Sequence, residues 1–396
     1  MFPKLRFKEF DGDLTESKLV ELTSWASGGT PAKDVPEYWG DGIPLISGAS
    51  MHTNQLYESD VKITKLGLQK GSKLALKDSI LILVRGSMLF NKIPMGITLG
   101  DVAFNQDVKC IRPKQQLAPL FLFQWLHAKE NTIQNKVTAT GIGAGKLDTA
   151  DLQNLKLYKP SLEEQTKIAT FLSAVDEKIS QLTQKHQLLR EYKQGMMQKL
   201  FSQQVRFKAD DKSEFGEWEE KELKDIAEIN PKSKKLPESF IYIDLESVEK
   251  GQLLLQKNIE LQDAPSRAQR LLAKGDVLFQ MVRPYQQNNY YFNLSGEYVA
   301  STGYAQIRTK LDSKFIYYAL HEKTFLDEVM NRCTGTSYPA INSSDLSSIE
   351  ILIPCLEEQT KIANVLSAID QKIEVISKQI EQAKQWKKGS LQQMFI

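Results

Sequence analysis

The stretch Pro160–Gln184, PSLEEQTKIATFLSAVDEKISQLTQ, occurs again at Pro354–Lys378 as PCLEEQTKIANVLSAIDQKIEVISK. The second copy begins 194 positions after the first. A gapless alignment of 160–201 with 354–395 contains 19 identities in 42 pairs, far above chance. Self-similarity over such a length indicates a duplicated architecture. We therefore predict that the chain is built twice from one plan.

Upstream of each copy the sequences diverge but keep common features. The run KDSILILVR ends at Arg85, and the related run GDVLFQMVR ends at Arg283. Branched, apolar runs of this length are typical of buried strands. We predict an α+β protein in which each half is a variable, β-rich module followed by a constant helix. The predicted boundaries are 1–159 and 206–353 for the modules, and 160–205 and 354–396 for the helices.

Both constant segments carry an apolar stripe in which steps of three and four alternate. Its members are Ile168, Leu172, Val175, Ile179, Leu182, His186 and Leu189 in the first copy, and Ile362, Leu366, Ile369, Ile373, Ile376, Ile380 and Ala383 in the second. This spacing is that of a coiled-coil seam. We predict that the two helices pair in opposite directions as an antiparallel coiled coil. This coiled coil separates the two modules, which are related by a pseudo-twofold axis. The alternative is that each helix packs on its own module.

Lysines end both stripes, at Lys193 and Lys387. Because a lysine stem can lie along an apolar surface while its charge reaches water, we expect both ammonium groups to extend into solvent. His186 lies on the stripe without a second ligand at helical spacing, so it is interpreted as a seam residue and not as a metal ligand.

Composition excludes several classes of protein. The 396 residues include 51 basic and 49 acidic side chains, so overall charge gives no argument for nucleic acid. The sequence has no apolar run of membrane-spanning length and opens without a hydrophobic signal region, which predicts a cytoplasmic protein. Its cysteines, Cys110, Cys333 and Cys355, are scattered, which predicts neither a metal site nor a disulfide framework. No cofactor is expected.

Enzyme motifs are also missing from the sequence. The glycine-rich stretch TGIGAGK ends at Lys146, but Leu147 follows where a phosphate-binding loop needs Ser or Thr. An amino-methyltransferase motif would need two prolines, whereas Asn230-Pro231 runs into Lys232. We therefore expect a chain without catalytic activity of its own.

The duplicated plan resembles the specificity subunit of type I restriction–modification systems. The resemblance rests on LEEQTKIATFLSAVDEKI from Leu162, its copy from Leu356, GGTPAKDVPEYWGDGIPLIS from Gly28, FNQDVK from Phe104 and NPKSKKLP from Asn230. It implies two target-recognition domains, each reading half of a split double-stranded DNA site, and helices that set the gap. It also implies two adenine-N6 methyltransferase subunits as partners. Whether motor-nuclease subunits join them in this host is left open.

Polar and cationic side chains are the candidates for reading bases or holding phosphates, since arginine and amide side chains can bond bidentately to guanine and adenine. The first module offers Ser47, Ser50, His52, Arg85, Asn105, Gln106 and Lys146. The second offers Lys232, Lys234, Lys235, Arg283, Gln286, Gln287, Asn288, Ser301, Thr302, Ser337 and Tyr338. Two other functions stay open from the residues alone, a stand-alone DNA-binding regulator and a coiled-coil protein adaptor.

Overall fold

The computed structural model describes residues 3–141, 143–233 and 235–395. The chain forms two compact units. Unit 1 contains Met1–Thr183 and Lys378–Ile396, and unit 2 contains Gln184–Ser377. Each unit thus combines one β-rich region with a segment from each of the two long helices.

Unit 1 is built mainly from short strands. The strands are β1 Thr15–Lys18, β2 Thr23–Ser27, β3 Trp39–Ile46, β4 Gln55–Leu56, β5 Lys62–Ile63, β6 Lys73–Ala75, β7 Ile80–Leu83, β8 Arg85–Gly86, β9 Met95–Thr98, β10 Val102–Phe104, β11 Val108–Pro113, β12 Thr138–Ala139, β13 Gly145–Lys146 and β14 Lys156–Lys159. The helices are α1 Leu19–Leu22, α2 Lys65–Gly71, α3 Pro119–Ala128, α4 Glu130–Gln134, α5 Thr149–Gln153 and the start of α6 Leu162–Phe201.

Two sheets organise this region. One has the order β2-β11-β7-β9-β4 and the other β5-β3-β10-β6, with β3 and β10 parallel. The predicted run before Arg85 forms β7, whose residues Ile80–Leu83 are all buried. Burial on both faces explains why this strand reads as a continuous apolar run without alternation. Short pairs, β1 with β14 and β12-β13-β8, complete the unit.

Unit 2 follows the same order of elements. Its strands are β15 Glu219–Glu222, β16 Ala227–Ile229, β17 Ser239–Ile243, β18 Val248–Glu249, β19 Gln252–Leu253, β20 Lys257–Glu260, β21 Ala268–Leu271, β22 Val277–Gln280, β23 Tyr290–Tyr291, β24 Tyr298–Ser301, β25 Tyr304–Thr309 and β26 Glu350–Ile353. Its helices are α7 Leu223–Ile226, α8 Ser313–Ala319, α9 Lys323–Arg332, α10 Ser343–Ser347 and the start of α11 Leu356–Met394.

The sheets of unit 2 repeat those of unit 1. The order β16-β25-β22-β23 matches β2-β11-β7-β9, and β20-β17-β24-β21 matches β5-β3-β10-β6. The matching sheet again contains one parallel pair, here β17 with β24. The predicted α+β class with two β-rich domains and two long helices is confirmed, and the duplication extends to strand order.

Helix segments pair in opposite directions within unit 1. Phe395, at the end of the chain, packs edge-on against Phe121 and lines a small cleft with Glu164 and Ile168 near the start of α6. Further along α6, Asp176 accepts a hydrogen bond from Lys387 Nζ at 2.5 Å. Higher residue numbers on α6 therefore lie beside lower residue numbers on α11, so the two helix segments are antiparallel.

The same arrangement holds within unit 2. Phe201, at the end of α6, contacts Trp218, whose indole N–H donates to Glu358 at the start of α11. Lys193 lies about two turns before Phe201 on α6. It pairs with Asp370, further along α11 than Glu358, at 2.6 Å. These two contacts again require antiparallel helix segments.

The expectation that Lys193 and Lys387 extend into solvent is wrong. The Lys193 side chain is 22% exposed and pairs with Asp370. The Lys387 side chain is 13% exposed and pairs with Asp176. The aspartates occupy equivalent positions of the two sequence copies, so each copy's aspartate pairs with the other copy's lysine. Every one of the fourteen seam residues is buried or half-buried, His186 among the half-buried ones.

The repeated Glu-Glu-Gln motif has a structural explanation. In unit 1 the buried Glu164 accepts two hydrogen bonds from Arg6, at 2.8 and 2.7 Å, and in unit 2 Glu358 accepts two from Arg206, at 3.1 and 2.8 Å. The hydrogen bonds that the guanidinium groups donate to these carboxylates raise the pKa of both arginines. The following glutamine amide donates to the proline carbonyl that precedes each helix. The motif therefore fastens each helix to its own module.

No helix among the described residues combines the length and the apolar character needed to cross a membrane.

Candidate nucleic-acid interface

The strand ends of unit 1 bring several predicted residues to one edge. Because β3 and β10 are parallel neighbours, Ser47 and Asn105, which follow them, lie side by side, and Asn105 N–H donates to Ile46 O at 3.0 Å. Val84 N–H donates to Asp107 O at 2.8 Å, which joins the end of β7 to the same edge. We call the loops at residues 47–52, 85–86, 105–107 and 143–146 edge 1.

Two cations lie opposite each other on edge 1. Arg85 of β8 and Lys146 of β13 are directly paired in an antiparallel ladder, and both side chains are exposed. Like charges at such paired positions repel each other. Neither side chain has an acidic partner among the described residues. A phosphate, or the paired acceptors N7 and O6 of a guanine, would relieve this repulsion, so the pair is suited to a nucleic acid.

The polar residues of edge 1 divide into engaged and free side chains. The Ser50 hydroxyl accepts from the backbone N–H of Ser47 at 2.9 Å and donates to the Ser47 carbonyl at 3.1 Å within a short 3-10 turn. Asn105 closes its own turn by accepting from Asp107 N–H at 3.1 Å. His52 is exposed, and so is Gln106, whose amide oxygen accepts from the Thr30 hydroxyl. Ser47, Ser50 and Asn105 therefore shape the loops, while His52 and Gln106 present side chains to solvent.

Unit 2 forms an equivalent edge from equivalent strands. The parallel pair β17 and β24 ends beside β22, because Met281 N–H donates to Gly303 O at 3.0 Å and Ile341 N–H donates to Met281 O at 3.1 Å. We call the loops at residues 244–247, 281–288, 301–303 and 334–340 edge 2. The loop TGTSYP, residues 334–339, thus lies beside the end of β22, as Lys146 lies beside Arg85.

Arg283 and Tyr338 are stacked on edge 2. The guanidinium carbon lies 4.4 Å from the centre of the Tyr338 ring, and Arg283 N–H donates to Pro339 O at 2.7 Å. The ring is 63% exposed. Cation–π stacking orients the arginine while leaving its N–H groups available to a ligand.

The loop that carries Arg283 has an unusual backbone. Arg283 and Gln287 have φ values of +54° and +52°, in the left-handed region that side-chain-bearing residues rarely adopt. They flank a 3-10 turn, Pro284–Gln286. Strained backbone of this kind persists only where the surroundings hold it, and it concentrates at functional sites.

A hydrogen-bond network of largely buried residues fixes the conformation of the loop that carries Arg283. Gln280, at the end of β22 and 2% exposed, donates from Nε2 to Gln286 Oε1 at 2.9 Å and accepts from Asn288 N–H at 3.0 Å. Asn289 accepts from Gln280 N–H at 2.8 Å, and its amide nitrogen lies 3.3 Å from His321 Nε2. Gln286 is exposed, whereas Gln287 and Asn288 are half-buried.

His321 anchors the network inside unit 2. Its Nδ1 lies 2.7 Å from Tyr317 O, which only accepts, so Nδ1 carries the proton and Nε2 accepts from Asn289. Burial, together with the nearby Lys193 charge, lowers the pKa of His321 to about 4. The ring is therefore neutral near pH 7.

The remaining predicted residues are distributed as follows. Ser337 is exposed, Thr302 is half-buried, and Lys232 and Lys235 are exposed on the segment after β16. Ser301 is 4% exposed and accepts from Gly303 N–H at 3.1 Å, so its hydroxyl shapes a turn. Lys234 lies outside the described residues.

Sequence reasoning missed Tyr285, Gln280, Asn289 and His321 as parts of this site. Tyr285 is 51% exposed beside Gln286, and its position after Pro284 in a loop could have drawn attention to it. Gln280 and Asn289 gave no such signal, because a glutamine at the end of an apolar strand and one asparagine in a polar loop are unremarkable in sequence. Within the described ranges, no group of three or more metal-ligating side chains occurs.

Comparisons with known proteins agree with this architecture. A family model described as "Type I restriction modification DNA specificity domain" matches residues 12–190 and 216–385. The MjaVIII type I restriction enzyme specificity subunit of Methanocaldococcus jannaschii is 27% identical, with 96% of this chain and 93% of that protein covered.

Solved structures show the same fold. The crystal structure of a type I restriction–modification S subunit from M. genitalium superposes with a TM-score of 0.65 at 17% identity and covers 100% of this chain and 99% of that one. A chain from a study of complex assembly and conformational transition in the type I system gives a TM-score of 0.55 at 17% identity, with 97% of each chain covered.

Proposed function

The chain belongs to the family of type I restriction modification DNA specificity proteins, and on that premise we propose that it reads a bipartite double-stranded DNA site with one unit per half-site. Members of this family are the non-catalytic components that recognise the DNA sequence. Edge 1 is the proposed reading surface of unit 1, and edge 2 is that of unit 2.

The observation that carries this proposal is the repetition of the edge. In each unit the loops that follow two parallel strands meet an arginine that follows the central buried strand. The scaffold is kept, whereas the side chains differ: Arg85 faces Lys146, while Arg283 stacks on Tyr338. Two units that share one fold but carry different side chains at the edge are suited to two different half-sites.

We propose that each unit also binds one methyltransferase subunit through its long helix. Leu162, Thr166, Ala174 and Lys178 recur as Leu356, Thr360, Ala368 and Lys372, and all eight are exposed. At about 100° per residue, successive members lie about 40° or 80° apart, so they form a band that turns around the solvent-facing surface of each helix. Leu162 and Leu356 are 49% and 56% exposed, so burial within this chain does not explain their retention.

Most exposed positions further along the helices differ between the two copies. After Ile179 and Ile373, Ser180 aligns with Glu374 and Gln181 with Val375. The retained band is therefore not a remnant of recent duplication, since neighbouring surface has diverged. A partner of one kind that binds twice would impose the same surface on both copies.

The helices are the proposed spacer between the half-sites. Pairs at Asp176 with Lys387 and at Asp370 with Lys193 fix the register of the helix segments in each unit. Motor-nuclease subunits are a further proposed partner, joined through the methyltransferase core. One structural neighbour comes from a study of complex assembly in the type I system, which supports assembly with other subunits.

Sequencing of modified adenines tests the proposal. We would express the chain with its methyltransferase subunits and compare wild type with the double variant Arg85→Ala and Lys146→Ala and with Arg283→Ala. The first should relax or abolish recognition of one half-site only, and the second should affect only the other half. Effects of both variants on the same half, or on neither half, would contradict the proposal.

A further inference from the structure

We infer that Gln286 reads a keto base, guanine or thymine, because the buried Gln280 turns the Gln286 amide so that only hydrogen-bond donors face the DNA. This inference rests on the proposed function, since it takes edge 2 as a reading surface. It adds a specificity-determining residue, Gln286, and a positioning residue, Gln280.

The orientation of Gln280 is fixed by the backbone. Asn288 N–H donates to Gln280 Oε1 at 3.0 Å, and a backbone N–H can only donate. The Gln280 side-chain oxygen must therefore face Asn288, and its amide nitrogen must face the opposite way. Because Gln280 is 2% exposed, water cannot easily substitute for either bond.

The orientation of Gln286 follows from that of Gln280. The Gln280 Nε2 group donates to Gln286 Oε1 at 2.9 Å. An amide nitrogen only donates, so the oxygen of Gln286 must be turned towards Gln280. Its own Nε2 has no hydrogen-bond partner among the described residues and remains free on an exposed side chain.

The loop backbone holds this side chain in place. Gln286 N–H donates to Arg283 O at 3.0 Å, and the left-handed residues Arg283 and Gln287 close the turn on both sides. A second buried contact, from Gln280 N–H to Asn289 Oδ1, ties the following segment to β22. The amide is therefore presented by a preorganised turn, which lowers the entropy lost on binding.

Base chemistry then restricts what Gln286 can recognise. A free glutamine can bond adenine bidentately, since it offers a donor and an acceptor together. Here the oxygen is turned towards Gln280 and accepts from its Nε2, so the side chain presents its two N–H donors outward. In the major groove guanine offers two acceptors, N7 and O6, and thymine offers O4. Adenine places its N6 donor beside its single acceptor N7, and cytosine offers its N4 donor, so each amino base sets a donor against the Gln286 donors.

The orientation can be reversed by substitution. In Gln280→Glu the ionised carboxylate has only acceptors, so Gln286 must rotate and donate its N–H inward, which presents its carbonyl oxygen to the DNA. Gln286→Glu presents an acceptor directly and leaves the buried residue unchanged. Both variants should prefer an amino base, adenine or cytosine, at the position where wild type prefers a keto base.

The test uses the complex of the full chain with its methyltransferase subunits on a library of DNA sites randomised in both half-sites. Methylated molecules are selected and sequenced at pH 8, where the introduced carboxylates are ionised. We expect preference at one position of one half-site to change from G or T to A or C by about tenfold, the discrimination given by one well-placed hydrogen-bonding pair. Gln280→Met, which keeps volume but removes both bonds, should relax that preference without reversing it.

Gln262→Glu is the matched control. This exposed glutamine follows β20, whose Glu260 pairs with Ser239 at the opposite end of β17 from edge 2. It adds the same charge and should leave every preference unchanged. If Gln286→Glu leaves base preference unaltered while Arg283→Ala changes the half-site, the inference is overturned and the proposed function stands. If Arg283→Ala also changes no base, the proposed function itself fails.

Discussion

At the scale of single residues, the buried carboxylates of the repeated motif are paired charges on which stability depends. Glu358 is 0% exposed and is held by Arg206 and by the Trp218 indole. Removing one partner of a buried pair leaves an uncompensated charge, which costs about 3 kcal/mol or more. Replacement of both partners costs much less, because no charge is then stranded.

We therefore predict that Arg206→Met lowers the free energy of unfolding of unit 2 by about 3 kcal/mol. The double variant Arg206→Met with Glu358→Gln should recover part of this loss. Urea unfolding followed by tryptophan fluorescence, which includes Trp218, measures both. A double variant that is no more stable than the single one would show that the pair is not energetically coupled.

His321 predicts a specific response to acid. Its pKa of about 4 in the folded chain lies below the ordinary value of 6.5, so the unfolded chain binds a proton first as pH falls. The contribution of the neutral His321 ring to the free energy of unfolding is fully present above pH 6.5. It is lost as pH falls from 6.5 to 4, by about 3 kcal/mol in total. His321→Gln should flatten this part of the stability profile.

The control for this prediction is His52→Gln, which changes an exposed histidine of the other unit. Stability is measured by urea unfolding at pH 7.0, 6.0 and 5.0 for wild type and both variants. An equal slope in wild type and His321→Gln would contradict the assigned burial of a neutral imidazole.

Part of this residue-level detail could be predicted from sequence. The arginines that end two related strands were identified as candidates because position and chemistry agreed. The ion pairs of Lys193 and Lys387 could not be predicted from the sequence, since a lysine at the end of a seam is long enough to reach water. Its partner lies on another helix, and only a known register shows which side chain it faces.

At the scale of elements, the alternation of three and four predicts a buried stripe on each helix, and the fourteen stripe residues are indeed shielded from solvent. The order of the strands within each sheet could not be predicted from the sequence. Contacts such as those between β3 and β10 join positions far apart in the chain, and short runs such as β8 and β13 have no periodicity to detect. The two edges therefore became visible only when the strand ends were brought together.

The helix register makes a prediction of its own. Lys193 and Asp370 form a half-buried pair in unit 2, supported by the Tyr318 hydroxyl, which donates to Asp370 at 2.7 Å. Lys193→Asp should destabilise unit 2 by about 1–2 kcal/mol because two carboxylates then face each other. The exchange Lys193→Asp with Asp370→Lys should restore part of the loss.

The equivalent exchange in unit 1, Asp176→Lys with Lys387→Asp, provides a matched comparison. Thermal unfolding of the two single and the double variants in each unit gives the coupling energy. If the double variant were as unstable as the sum of the single variants, the antiparallel register described for that unit would lose its support.

At the scale of the whole molecule, the proposed spacer role makes a geometric prediction. Insertion of seven residues into both long helices, after Thr183 and after Ser377, preserves the seam and lengthens each helix by about 10 Å, or about three base pairs of B-DNA. We expect the gap of the methylated site to lengthen while both half-sites stay the same. A changed half-site with an unchanged gap would count against the helices as spacer.

The division of labour between the two units is the central claim, and exchange of one recognition region tests it most directly. Residues 15–159, from β1 to β14, would be replaced by the corresponding segment of a specificity subunit with a different target, and modified adenines would be mapped across the genome of cells that express the chimera with its methyltransferase. The account predicts that one half-site changes to that of the donor while the other half-site is unchanged. A chimera that alters both half-sites, or that keeps the original site entirely, would contradict it.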